Sequence, residues 1–490
     1  MIPHTPCISQ PQNFPPIEDF AIARFIRFLK HLRIKEIFSG ISDTRQAKKT
    51  KYSNHSLMLW AFSVFVFRQE SKNSLQTTIE SLPKYKQTSL LKYFEIEKDS
   101  IPHRTVVDDY LVTVKPDEIN NILLELFLWC QKNKLFYNHA ESLLPNNNYH
   151  LGTDGFWVHK YDHPHAVDGE GKNCCPYCLP RTCHKGKPEE FTYWVHAFVT
   201  FVLIFPTGLQ LPIYTYPLKA VQVDVSKNDN DLKQECELKA FYAILPELRK
   251  KLGRIRITLL LDSLYANEPV IQLAEKLFMN YLIVRKEESL KNIGKKCNEL
   301  SASELYQKFY RAGRIIKLKN GNQLEQKIEW FNRIAVGKES YTNVLRFEEV
   351  IKEPNGNVLN TYKNEWLSAD EINERNCFGL AQRGRMRFSC HEDMHNTLKN
   401  RGFDAKHDYA RANANGMVVW KLLMFVALFV DQLFSFTNLG IQARGTRSLM
   451  KFARDLLQQL VEVTWSAIAN SPIIQNEKRQ FRFCFGEASG

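Results

Sequence analysis

Two aspartates and a run of thiols carry the chemistry legible in this 490-residue sequence. Asp154 follows the run YHLGT, and Asp262 closes the fully apolar run ITLLL. Both runs read as strands. Carboxylates at the ends of strands in one α/β sheet can converge on a single point. Two such carboxylates, joined by a third acid from a helix, can hold two divalent metals about 4 Å apart. That arrangement activates a water or a 3′-hydroxyl and stabilises the leaving oxygen at phosphorus. Oxygen ligands with retained waters favour Mg2+, with Mn2+ tolerated. A lone aspartate at such a place is most often a turn or helix cap; two at strand ends shift the balance moderately toward a site.

The sequence holds eleven cysteines, of which Cys174, Cys175, Cys178 and Cys183 are clustered. Cys175-Pro-Tyr-Cys178 is a CxxC, followed by Cys183 beside His184 and then by His196. Thiolates with a nearby imidazole match a tetrahedral structural Zn2+ site, with Cys175, Cys178, Cys183 and His196 as the ligand set. The competing reading is a loop of reduced thiols. Redox catalysis fits less well, because no thioredoxin-like βαβ context surrounds the CxxC. The scatter of the remaining cysteines indicates a reduced intracellular chain, not a disulfide framework.

The elements that must position these groups follow from periodicity. From about Ile17 to Gln131 apolar residues recur at three and four, as in IEDFAIARFIRFLKHL and PDEINNILLELFLWCQKN, which predicts helices. Arg27, Lys30, Arg33, Lys35, Arg45, Lys48, Lys49 and Lys51 decorate this region. It reads either as a DNA-binding domain or as a packing module with a solvated basic face. The texture changes near His150. YHLGTDGFWV, WVHAFVTFVLIF and GLQLPIYTY predict strands, the last two joined by a turn at Pro206-Thr207-Gly208. A helix over 231–252, the strand IRITLLLD, the helix EPVIQLAEKLF and the strand NYLIVRK then make a mixed α/β layer. Short strands fill about 310–365, and helix resumes near Ser368 and runs to about Ala469.

The bulk numbers agree with a folded nucleic-acid partner protein without proving one. Hydrophobic residues make up 44% of the chain, which excludes broad disorder. Lys and Arg number 66 against 53 Asp and Glu, a net charge of +13, which suits a polyanion only if it gathers beside a site. The N-terminus lacks a cationic start followed by an apolar run, so no secretory signal is expected. The longest apolar stretch, Val418–Phe436, carries Lys421, Asp431 and Gln432, which predicts a buried helix and no membrane span.

A resemblance sharpens this reading. The stretch from LKQECELKAFYAILPELRKKL through IRITLLLDSLYAN to NYLIVRKEES resembles the core of DDE insertion-sequence transposases. RGRMRFSCHEDMHNTLKNRGFDAKHDYA is similar to the segment carrying their third acid, and TDG around Asp154 to their first-acid motif. The similarity spans roughly residues 145–435. It implies a ribonuclease-H-like mixed sheet with flanking helices, interrupted by a β-rich insertion, and an N-terminal all-helical domain. The implied divisions are 1–145 helical and basic, 146–300 the first part of the catalytic domain, 301–370 the β-rich insertion, 371–440 the helices with the third acid, and 441–490 a helical region and tail. Asp154 and Asp262 carry over as first and second metal ligands.

The third acid is Glu392 on its spacing to Lys399, which matches one branch of the family. Aligning Asn396-Thr397-Leu398-Lys399-Asn400 with the branch that this chain most resembles puts the glutamate position on His391, and Asp393 is a third candidate. At about 100° per residue, Cys390, Met394, Thr397 and Leu398 define an apolar face, with His391 on its edge and Glu392 turned further away. The resemblance further implies that Arg385, Arg387 and Lys399 contact DNA phosphates; ordinary surface charge is the alternative. Tyr265 and Asn267 match the family after the second acid, where they position DNA or the metal shell, or serve as turn and helix-cap residues. For the cysteine cluster, similar transposases show a CxxCL segment, a His where Cys183 stands and a terminal His like His196.

The expectation is a Mg2+- or Mn2+-dependent transposase, cytoplasmic and nucleoid-associated, acting as a homodimer on double-stranded DNA with no membrane partner. A catalytically dead DNA-binding derivative is the rival, motivated by His391. A metal-dependent nuclease is a weaker third reading.

Overall fold

A computed structural model describes residues 20–46, 48, 50–136, 148–169, 171, 173–220, 229–304, 306, 310–389, 394–411, 413–475, 482 and 484. The chain forms a mixed α/β fold with helices on the flanks of one ten-stranded sheet. Its strands are β1 (Tyr149–Tyr161), β2 (Leu179–Cys183), β3 (Phe191–Ile204), β4 (Gln210–Pro217), β5 (Ile257–Leu261), β6 (Asn280–Val284), β7 (Arg311–Lys317), β8 (Gln323–Ala335), β9 (Tyr341–Lys352) and β10 (Val358–Ser368). The order across the sheet is β2-β3-β1-β5-β6-β10-β9-β8-β7, with β4 pairing β3 beside it.

The centre of the sheet is where parallel and antiparallel pairing meet. β1 runs antiparallel to β3 and parallel to β5, and β5 runs parallel to β6. Every residue of β5 is buried, as expected for a strand with parallel neighbours on both sides and cover on both faces. The β3–β4 hairpin turns where Gly208 adopts φ 85°, a conformation open to glycine. β1 is longer than the sequence pattern implied, because it continues past a bulge between Trp157 and His159 toward the cysteine loop.

The strand-rich segment after residue 310 is continuous with this sheet. β10 pairs antiparallel with β6 through Trp366–Val284, Leu367–Ile283 and Ser368–Leu282. The fully buried Trp366 ring then anchors the helix Cys377–Ser389, where a Cβ at Gly384 would stand only 2.5 Å from its Cε2 atom. That close approach sets the helix across the sheet, with Arg387 one turn further on.

The helices at the two ends of the chain share one core. Ala414–Ser435 is apolar on all sides, so burial is the arrangement available to it in water. It packs against Asn54–Val66, Pro116–Lys132 and β4. It is the one helix among the described residues long and apolar enough to cross a membrane, and 89% of its most apolar window is buried. Its two charged residues are both partnered. Lys421 Nζ donates to the carbonyls of Ala405 and His407, each at 2.7 Å, and Asp431 Oδ2 accepts from Arg68 Nη2 at 2.9 Å. Arg27, read as part of a basic face, is buried and donates from Nη1 to Ile473 O at 2.7 Å.

Candidate metal centres

The two strand-end aspartates are brought together. Gly152 on β1 pairs with Leu260 on β5. Asp154 and Asp262 each lie two positions further along these parallel neighbours, so the pleat aims both side chains to the same face. A single guanidinium nitrogen, Arg387 Nη2, lies 3.1 Å from Asp262 Oδ2 and 3.6 Å from Asp154 Oδ1. Both carboxylates are also held locally. Asp262 Oδ1 accepts from Leu264 N at 2.9 Å and caps the short 3-10 turn Ser263–Tyr265. Asp154 Oδ1 accepts from Gly155 N at 3.0 Å.

Residues not singled out from the sequence complete the surroundings. His395 Nδ1 lies 3.6 Å from Asp154 Oδ2, and its ring packs on Phe156 with centroids 4.6 Å apart. His395 has no motif of its own, and only the fold brings its short helix, His395–Asn400, over β1. Gly155 points to the opposite face, where the carboxylate of buried Glu237 fills the space a Cβ would need. Burial pushes the Tyr265 hydroxyl well above its ordinary range, and the charges of Glu237, Asp262 and Asp154 reinforce the shift.

The other expected site residues divide clearly. Tyr265 is 1% exposed, and its ring is a wall of the core, packed on Phe241 at 4.8 Å. Asn267 caps the helix Glu268–Lys276 by accepting from Val270 N at 3.1 Å, the capping role. Arg387 faces the carboxylates, and its side chain is 12% exposed. Arg385 is exposed, pairs with Glu349 at 2.8 Å and lies over the Tyr362 ring at 4.6 Å. Lys399 Nζ sits 5.0 Å above the Phe156 ring, near the acidic pair. Glu392, His391 and Asp393 lie outside the described residues.

No protein-family model and no curated protein matches this chain.

A second cluster could hold a metal ion: His165, Cys175, Cys178 and His196 offer ligand atoms that all lie within 4.8 Å of one another. Cys178 Sγ is 3.1 Å and Cys175 Sγ 3.6 Å from His196 Nε2. The Cys178 thiol donates to Cys175 and holds that sulfur well below the ordinary thiol range. Three of the four expected members are therefore together, and His165 stands where Cys183 was expected. The β2–β3 ladder gives the reason. Leu179 pairs with Val195, so Cys178 arrives beside His196, whereas Cys183 pairs with Phe191 at the far end of the hairpin. Five residues of strand put Cys183 roughly 16 Å from His196. His165 was missed because its approach depends on the turn after β1, not on a CxxC-type spacing.

Proposed function

We propose that this chain is a DDE-type DNA transposase, cutting the ends of a mobile element and joining them to target DNA. The observation that carries the reading is the convergence of Asp154 and Asp262 from adjacent parallel strands onto one cationic position. The strand sequence β4-β3-β1-β5-β6, antiparallel at first and parallel after β1, supports a ribonuclease-H-like core in this reading. The strands β7–β10 are then the β-rich insertion, attached to β6 through β10.

The donor set fits Mg2+ or Mn2+. Both groups are carboxylates, and Arg387 Nη2 marks the point that both side chains face. Asp154 and Asp262 would hold the metal, with Glu392 as third ligand. Bound there, it would polarise the phosphoryl oxygens and lower the pKa of a coordinated water. The protein's own groups do the rest. His395 holds the orientation of Asp154 through its Nδ1 edge. Arg387 sets a positive charge against both carboxylates and neutralises phosphate charge as DNA enters, with Lys399 and Arg385 as further phosphate contacts. The four His and Cys side chains offer no oxygen ligand and take no part in the phosphoryl chemistry. Both element ends must be joined to one target, which calls for a dimer on double-stranded DNA, in the cytoplasm at the nucleoid.

The test is Mg2+-dependent cleavage and strand transfer on duplexes carrying the element's ends. Activity in the native chain that is lost in Asp154→Ala and Asp262→Ala supports the reading. Tight end binding without cleavage favours the second reading, a catalytically inactive derivative. The placement of Arg387 against both carboxylates, together with His391 at an aligned acid position, favours that alternative.

A further inference from the structure

We propose that His165, Cys175, Cys178 and His196 bind one Zn2+ in a closed structural site that pins the loop after β1. The inference does not depend on the reading of the acidic pair.

Distance is the first argument. Zn2+ bound tetrahedrally at about 2.0 to 2.3 Å holds neighbouring ligand atoms roughly 3.3 to 3.8 Å apart. The two sulfurs stand 3.1 and 3.6 Å from the His196 nitrogen, and the whole set falls within 4.8 Å. A small contraction around an ion completes the tetrahedron.

Charge is the second. Cys175, Cys178 and His196 are 2%, 0% and 1% exposed. Two thiolates and two neutral imidazoles around a divalent cation sum to zero. A neutral assembly can be buried with far less desolvation cost than an isolated ion. Both ring nitrogens of His165 are buried, and the ring faces the Cys175 sulfur. Four protein ligands leave no open position, which makes the site structural and not catalytic.

The chain around the ligands is folded to present them. Val167 bridges to Asn173, Cys174 N donates to Ala166 O at 3.0 Å, and Cys175 N donates to Asn173 Oδ1 at 3.0 Å. His165 N donates to Cys178 Sγ at 3.2 Å, a contact that steadies a ligating sulfur. Tyr161 packs its ring on His165 and His196 at 5.9 and 5.2 Å, and its hydroxyl donates to Asp408 Oδ1 at 2.9 Å. The ion would therefore tie together the end of β1, the CxxC loop, β3 and the segment around Asp408. It would sit roughly 20 Å along β1 from Asp154.

The experiment is metal analysis of the purified full-length chain, followed by Co2+ substitution and chelator competition. One zinc per chain is expected. The Co2+ form should show visible bands of tetrahedral cobalt and a near-ultraviolet thiolate-to-cobalt band. His165→Ala and Cys178→Ser should each weaken zinc binding more than about 100-fold, whereas Cys183→Ser should leave it unchanged. A native chain that carries no zinc and takes up no Co2+, or one with a Cys175–Cys178 disulfide, overturns the proposal. So does a Cys183→Ser chain that loses zinc while His165→Ala retains it.

Discussion

Asp154 and Asp262 occupy equivalent positions on neighbouring parallel strands, and one nitrogen of Arg387 reaches both. Two carboxylates held this close repel each other unless a cation lies between them. A divalent ion should therefore stabilise the fold. Mg2+ or Mn2+ at about 100 times its dissociation constant adds roughly 2.7 kcal/mol by mass action. The melting temperature of the native chain should rise with either ion, and Asp154→Asn should remove most of the rise. Equal shifts in the two proteins would rule out a metal at this pair.

Arg387 is the same relationship seen from the cation. Its side chain is 12% exposed, and removing it leaves two facing carboxylates. Arg387→Gln should cost about 1–3 kcal/mol in urea denaturation with chelator present. Saturating Mg2+ should recover much of that loss, since it restores positive charge at the same point. A loss that Mg2+ does not touch would mean that Arg387 acts only through packing.

Arg68 and Asp431 tie the first helices of the chain to the late helix Ala414–Ser435. Arg68 is 1% exposed, lies 3.6 Å over the Phe403 ring and donates to Asp431 at 2.9 Å. Asp431→Asn strands a buried guanidinium and should cost about 3 kcal/mol. Because the two ends share one core, the native chain and the variant should each lose their helices in one transition. A variant in which residues 20–136 melt separately would contradict that shared core.

The acidic pair and most strands could be read from the sequence because each depends on local pattern. An apolar run ending in Asp262 announces a buried strand and its end together. The hairpin at Gly208 is equally local. What stayed hidden depends on distant pairing. β2 was read only as part of the cysteine loop, so the ladder that carries Cys183 away from His196 was invisible. His395 and Glu237 reach the surroundings of Asp154 through helix packing on opposite faces of the sheet. Tyr265 follows the second aspartate closely in sequence, but its burial depends on the Phe241 ring packed against it from a distant helix.

His150 gives a pH dependence with a definite sign. It is 1% exposed, and burial, reinforced by Arg383, pushes its pKa down from 6.5 to about 3. The folded imidazole stays neutral while the unfolded one takes up a proton below 6.5. Its contribution is therefore complete above pH 6.5 and is lost as pH falls toward 3, at roughly 1.4 kcal/mol per unit. Urea midpoints should fall less steeply between pH 6.5 and 4.5 in His150→Leu than in the native chain. Parallel slopes would show that His150 is not the responsible group.

The bulge between Trp157 and His159 has a consequence for how this chain can change length. Side chains alternate faces along a strand, so an added residue reverses all those beyond it unless a bulge absorbs it. Asp154 lies before the irregularity, and Tyr161 and the His/Cys loop lie after it. Deleting Val158 would leave the pairs Trp157–Ala197 and His159–His196 consecutive in a regular ladder, with Asp154 opposite Thr200 and Tyr161 opposite Trp194 as before. The spare residue is taken out of phase by the bulge: Asp154 and Tyr161 keep their places against β3 although one more residue separates them on β1 than separates their partners Thr200 and Trp194.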